Sequence, residues 1–205
     1  MTAARWRDET EQLIEALGPK GGAQTLVAFQ GERGAYGHLA IERLWGARAW
    51  PLPCWSVGDV VTAVTQGKAE YGVLPVRNEI IGEIPDVRRA IEGAGLDVVG
   101  EMRQPVRHTL LAPSGSILHD ISAVYSHPAA LAQCRAFLSR YPGMIERATY
   151  DTSGAARDVA ARGLRHEAAI AAEGCAERYG LQLLARDVGD RDDNATTFVV
   201  VRRGG

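Results

Sequence analysis

Apolar and polar positions along this chain alternate at two periods, and the switches between them mark out its elements. Trp6, Leu13, Ile14 and Leu17 recur at helical spacing until Gly18, Pro19, Gly21 and Gly22 break the pattern, which predicts an N-terminal helix and joint over 1–23. Residues 25–30, TLVAFQ, make a short β-type run that stops at Gly31, and helical spacing resumes over 36–44. The same alternation predicts a helix over 56–66, a strand over 71–76, a helix over 86–94 and a strand over 98–103. A second series has strands at 109–112 and 123–126, helices at 128–140 and 153–162, a strand at 168–171, a helix at 174–179 and a last strand at 197–201. Repeated βα units imply an α/β fold of mixed, mostly parallel sheets flanked by helices. The elements divide into two lobes, 24–104 plus 184–203 and 105–183, with the last strand returning to the first lobe.

Composition narrows the partners more than the fold. The 205 residues carry 25 acidic and 23 basic side chains, a net charge of −2, so no global field gathers nucleic acid or an anionic membrane. No apolar stretch approaches the roughly 20 residues of a bilayer span, and the acidic start MTAARWRDETEQ does not read as a signal peptide, so a soluble cytoplasmic protein is expected. Cys54, Cys134 and Cys175 are odd in number and far apart, which supports neither a disulfide framework nor a zinc site. All three read as small buried thiols. No HExxH, GxSxG or Walker-type run is present, which removes zinc proteases, esterases and P-loop enzymes.

Turns at the carboxyl ends of strands are where an open α/β sheet offers its chemistry. Four of them concentrate polar residues. In the first, Gly31 to His38, the glycines and the start of a helix would let backbone N–H groups of Gly34, Ala35, Tyr36 and Gly37 approach an anion, although a plain structural turn explains them equally well. In the second, Arg77 can clamp a carboxylate and Asn78 can both donate and accept, whereas an Arg77–Glu79 surface pair is the bland alternative. In the third, Asp151 to Ala156, Thr152 or Ser153 serves as a helix cap, or with Gly154 forms an anion site. The fourth, Gly189 to Thr197, delivers Asn194, Thr196 and Thr197 to the last strand. His108 and His127 lack acidic sequence neighbours to orient them and read as structural, while His38, His119 and His166 read as surface residues.

Together these blocks resemble the catalytic domain of prephenate dehydratases and their arogenate-using relatives. The likeness runs from about Leu26 to Arg202 through VAFQGERGAYGHLA, YGVLPVRNEIIGEI, VVGEMRQPVRHTLLA, YSHPAALAQC, DTSGAA and NATTFVV. It implies two lobes of the type-II periplasmic-binding kind with a small-molecule carboxylate substrate between them, a homodimer, and a lyase needing neither cofactor nor metal. The family reaction expels the ring hydroxide and ring carboxylate of prephenate together, giving phenylpyruvate, carbon dioxide and water. By this resemblance Thr196 is the catalytic proton donor to the departing hydroxide. Substrate binding then falls to the first-turn residues, to Arg77, Asn78 and Glu79, to Thr152, Ser153 and Gly154, and to Thr197 and Phe198.

The departures from the family pattern are specific. Gly37 replaces a serine, the family's Glu-Asn-Ser triplet is Arg77-Asn78-Glu79, and its Thr-Arg-Phe is Thr196-Thr197-Phe198. The changes at 77, 79 and 197 cancel in charge, which suggests a rebuilt site recognising a differently placed anion or a different ring substituent; together with the expected lack of regulation this points to a specialised pathway, such as antibiotic synthesis from shikimate-derived precursors. A prephenate decarboxylase that leaves the ring non-aromatic, another lyase or isomerase of that chemistry, and a non-catalytic small-acid binding module are the alternatives. The family's regulatory ACT module follows the catalytic domain, and the sequence ends at Gly205, so feedback through such a module is not expected.

Overall fold

The computed structural model describes residues 24–205, and the helix expected over 1–23 lies outside them. The described chain forms two compact units. The first comprises 24–31, Tyr36–Gln104 and Ala195–Gly205, and the second Glu32–Ala35 and Pro105–Asn194.

The sheet of the first unit is built from β1 (Thr25–Gln30), β2 (Ala49–Cys54), β3 (Tyr71–Asn78), β4 (Gly82–Glu83), β5 (Leu96–Pro105) and β11 (Ala195–Arg203). Its order is β2-β1-β3-β11-β5, with β4 paired to the end of β3. β1 runs parallel to β2 and β3, and β11 runs antiparallel to β3. Helices α1 (Tyr36–Trp45), α2 (Val57–Thr65) and α3 (Pro85–Gly93) complete the unit. Val60, Ala63 and Val64 of α2 and Val87 and Ile91 of α3 pack with Leu74, Val76, Val199 and Val201 in one core cluster. Strand β2 escapes sequence patterning because Pro51 and Pro53 interrupt AWPLPC. At alternate positions both lack an N–H on the same side, a loss that an edge strand tolerates.

The second unit holds β6 (Thr109–Pro113), β7 (Ala123–Ser126), β8 (Ile145–Ala148), β9 (Glu167–Ala171) and β10 (Leu181–Ala185) in the order β10-β6-β9-β7-β8. β7 is parallel to β8 and β9, while β6 is antiparallel to β9 and β10, so both sheets are mixed. Its helices are α4 (Pro128–Ala132), α5 (Arg135–Leu138), α6 (Thr152–Arg162) and α7 (Cys175–Tyr179).

Two expectations need correction. The single helix over 128–140 is broken at Cys134, because the Asp190 carboxylate accepts from the N–H groups of Arg135 (3.1 Å) and Ala136 (2.8 Å) and starts a new helix there. The chain returns to the first unit at Ala195, not at 184. β10 pairs with β6, and the following loop is tied to the second unit by Val188 N–H to the His108 carbonyl (2.9 Å) and Asp190 N–H to the Gln133 carbonyl (2.7 Å).

Candidate active site

In the first unit the chemistry gathers where β3 ends beside the start of β11. Thr196 pairs with Asn78 and Thr197 with Arg77, after which the register slips so that Phe198 meets Pro75. Successive strand residues face opposite ways, which puts Asn78 and Thr196 on one face and Arg77 and Thr197 on the other. Asn78 and Thr196 are buried, at 6% and 9% exposure. The Asn78 amide nitrogen donates to Thr196 Oγ1 at 2.9 Å and to the Ala195 carbonyl at 3.1 Å. Its oxygen accepts from the N–H groups of Ile80 (3.0 Å) and Ile81 (3.1 Å), closing the turn that follows the strand.

Arg77 does not share that face. Its side chain is exposed, with Nε 3.9 Å from a Glu83 carboxylate oxygen. Glu79 places its N–H on the Ala195 carbonyl at 2.9 Å, and its carboxylate accepts from Arg103 Nε at 3.2 Å. Tyr36 is the half-buried first residue of α1. Gly37 follows it, with the rings of Phe29 and the buried Phe198 as its nearest neighbours.

The second unit holds the remaining expected residues. Gly34 sits at φ +100, and a Cβ there would lie 2.7 Å from Ser153 Oγ and 2.9 Å from Cys175 Sγ, so only glycine fits both conformation and space. Ala35 is buried, and its N–H is engaged by the Glu32 carbonyl at 3.0 Å. Ser153 is fully buried and donates to the Arg33 carbonyl at 2.6 Å, where the Tyr179 hydroxyl also donates at 2.5 Å. Ser153 thus fastens a turn through its hydroxyl proton. The cap of α6 is Asp151, not Thr152 or Ser153: its carboxylate accepts from the Gly154 N–H at 2.7 Å. Burial pushes the Asp151 carboxyl up, against the backbone hydrogen bonds that favour its ionised form. Thr152 is half-buried in the first turn of α6. A Cβ at Gly154 would meet the Tyr150 hydroxyl at 2.5 Å, so a side chain there displaces the exposed Tyr150 ring. Tyr150 donates to Glu32 at 3.0 Å, and Arg157 reaches the same oxygen at 2.7 Å.

The histidines divide differently from expectation. His38 is buried and stacks on Phe29 with centroids 5.5 Å apart, so it is not a surface residue. His127 caps α4, its Nδ1 accepting from the Ala129 N–H at 3.2 Å. His108 is buried with Nε2 2.9 Å from Gln133 Oε1, which also accepts from Asn194 Nδ2 at 3.0 Å. With that oxygen only able to accept, the His108 proton resides on Nε2, and burial lowers its pKa. Sequence reasoning missed Gln133. Its only signal was its place in the block YSHPAALAQC.

Among the described residues no group of three or more His, Cys, Asp or Glu side chains could hold a metal ion, and no helix is long and apolar enough to cross a membrane.

The chain is 37% identical over 194 residues to the arogenate dehydratase/prephenate dehydratase 2 of Arabidopsis thaliana, a match covering 95% of this chain and 50% of the relative. It is 38% identical over 181 residues to the bifunctional chorismate mutase/prephenate dehydratase of Escherichia coli K12, covering 86% and 47% respectively. The crystal structure of a prephenate dehydratase from Arthrobacter aurescens in complex with L-Phe is similar with a TM-score of 0.80 and 30% identity, over 88% of this chain and 61% of that one. The chain therefore spans about half the length of these two curated relatives. The family model for prephenate dehydratase matches residues 27–205, and the chain belongs to that family.

Proposed function

We propose that the protein is a carbon–oxygen lyase that decarboxylates and dehydrates prephenate, or its amino counterpart arogenate, with Thr196 assisting departure of the ring hydroxyl. The observation that carries this reading is the buried Asn78–Thr196 hydrogen bond at the end of β3. There a hydroxyl is held in a position screened from bulk water, inside the family block NATTFVV.

The chemistry balances without a redox partner. The bond from the ring to its carboxylate breaks to release carbon dioxide, the electron pair enters the ring, and the bond to the ring hydroxyl breaks. Thr196 Oγ–H donates a hydrogen bond to that oxygen as negative charge develops on it, and the net proton that converts hydroxide to water comes from solvent. A threonine hydroxyl is a feeble acid in water. Its usefulness rests on a preorganised, poorly solvated position, where hydrogen bonding to developing charge is worth more.

The deciding experiment mixes purified protein with prephenate, and separately with arogenate, and follows ultraviolet absorbance and product mass together. Phenylpyruvate or phenylalanine supports the lyase. A decarboxylated but non-aromatic acid moves the assignment to the alternative decarboxylase, for which the changes at Arg77 and Thr197 are the motive. Unchanged substrates overturn both enzyme readings in favour of a binding module.

A further inference from the structure

The amide of Asn78 dictates which way the Thr196 hydroxyl can point. An asparagine side chain has a donating nitrogen and an accepting oxygen, and its neighbours decide which end lies where. Around Asn78 the choice is forced twice over by backbone groups whose polarity is not in question. On one side two N–H groups, from Ile80 and Ile81, demand the oxygen. On the other the carbonyl of Ala195 demands the nitrogen. The atom 2.9 Å from Thr196 Oγ1 is therefore the nitrogen, and it can only donate.

Thr196 must then accept. Its hydroxyl has one proton, which is excluded from the side facing Asn78, and among the described residues no other side-chain hydrogen bond of Thr196 consumes it. A serine or threonine hydroxyl free to rotate spends part of its time donating to nearby carbonyls. Here the proton is left for whatever lies on the remaining side, and donation by Asn78 polarises the O–H bond in the direction that makes it a better donor.

We propose that Asn78 is a positioning residue that fixes the donor polarity of the Thr196 hydroxyl toward the leaving oxygen, rather than a ligand of the substrate. This inference rests on the reading of Thr196 as the assisting donor. Through each end of its amide Asn78 already makes two hydrogen bonds to described residues of its own protein, so its work is done before substrate arrives.

The test uses Asn78→Asp, which keeps the shape and the oxygen that serves Ile80 and Ile81 but replaces the donor with an acceptor. The Thr196 proton then turns toward the carboxylate and is lost to the substrate. Turnover is expected to fall roughly 100-fold at pH 8, the scale of a lost general acid, with KM held within about threefold because the interaction acts in the transition state. A protonated aspartic acid is again a donor, so activity relative to wild type should climb as pH is lowered. Arg77, Glu79, Glu83 and Arg103, the charged groups around this strand end, are the same in both proteins, so the ratio of the two profiles isolates residue 78. The ionised carboxylate also opposes the Ala195 carbonyl, so urea midpoints of both proteins are followed over the same pH range: turnover that recovers while relative stability stays flat supports positioning, and turnover that only tracks stability overturns it.

Thr196→Val is measured alongside. Lost turnover in Thr196→Val together with full activity in Asn78→Asp overturns the positioning role and leaves the reading of Thr196 intact. Unchanged turnover in Thr196→Val overturns that reading and the inference with it. If Asn78→Asp fails to fold, the side-chain amide proton resonances of Asn78 in the wild type and in Thr196→Val decide. One proton of the pair should shift on loss of the hydroxyl, and an unmoved pair overturns the proposal.

Discussion

Arg77 faces Thr197 directly across the β3–β11 ladder, and on its other side it faces Glu83 of β4. The family pattern has glutamate and arginine at positions 77 and 197, which this register would make a cross-strand ion pair. In this chain the cation stands on β3, its partner strand offers a neutral hydroxyl, and the nearest carboxylate is Glu83 at 3.9 Å. The two departures are therefore coupled by geometry, and they lie on the strand face opposite Asn78 and Thr196.

Thr197→Arg should place two guanidinium groups opposite each other and destabilise the protein by about 0.5 kcal/mol, within the range for like charges in a cross-strand pair. Arg77→Glu alone sets a carboxylate opposite Glu83 and should also destabilise, whereas the double variant should lose less than the two single losses together. Urea denaturation of the two single variants and the double variant measures the coupling, which should shrink in about 1 M salt because these side chains are exposed. Simple additivity would show that the two side chains do not meet. Thr197→Arg alone is not expected to raise phenylpyruvate formation, since Arg77 remains unpaired with it.

Gly72 has no room for a side chain. A Cβ there would sit 2.9 Å from Val201, 3.0 Å from Val60 and 3.1 Å from Val64, all β-branched and locked in the core that joins α2 to the sheet. Gly72→Ala should cost roughly 1–3 kcal/mol as an overpacked core substitution. Gly37→Ser is the contrasting case, because its new Cβ would meet the Phe29 and Phe198 rings at 3.5 and 3.6 Å, ordinary contact distances. Replacing a helical glycine, it should be neutral or stabilising by about 0.5 kcal/mol. Thermal melts of both variants check the pair.

The sequence was most informative where apolar residues cluster. The strands 25–30 and 71–76 are legible as short, largely buried apolar runs, and the helix over 56–66 by the apolar face of Val60, Ala63 and Val64. Strand β8, Ile145–Ala148, was not, since all four of its residues are exposed. The break at Cys134 was invisible because its cause, the Asp190 carboxylate, is distant in sequence. In the candidate site, Thr196 and Asn78 were found by motif, but their bond to each other depends on strand register. Ser153 was misread as a cap for a related reason. A serine in a first helical turn looks like a cap until the fold gives that place to Asp151 and brings the Arg33 carbonyl to the Ser153 hydroxyl.

His108 makes acid stability a specific expectation. Its imidazole is held neutral by burial, with the Gln133 hydrogen bond only partly offsetting that effect, so its pKa in the folded protein lies below the ordinary 6.5. The unfolded chain then binds the proton more readily than the folded one. The contribution of this group is full above pH 6.5 and declines as pH falls toward the depressed folded value. Between pH 7.5 and 5.5 the wild type should lose more stability than His108→Gln, as read from urea midpoints at both pH values. An equal or larger loss in His108→Gln would show that this histidine does not carry the acid sensitivity.

The Arg33 carbonyl receives two hydroxyl donors, Ser153 at 2.6 Å and Tyr179 at 2.5 Å, and this redundancy shapes the last expectation. Removing either donor alone leaves the carbonyl satisfied by the other, so Ser153→Ala and Tyr179→Phe should each cost about 1 kcal/mol or less. Removing both strands the acceptor, and the double variant should be less stable than the sum of the singles. The same variants separate fastening from ligand binding at Ser153. With its proton committed to Arg33, Ser153→Ala should leave KM for the substrate within about twofold while the double variant loosens the turn and raises it. A large rise in KM for Ser153→Ala alone, with stability unchanged, would instead make the Ser153 hydroxyl a direct substrate contact.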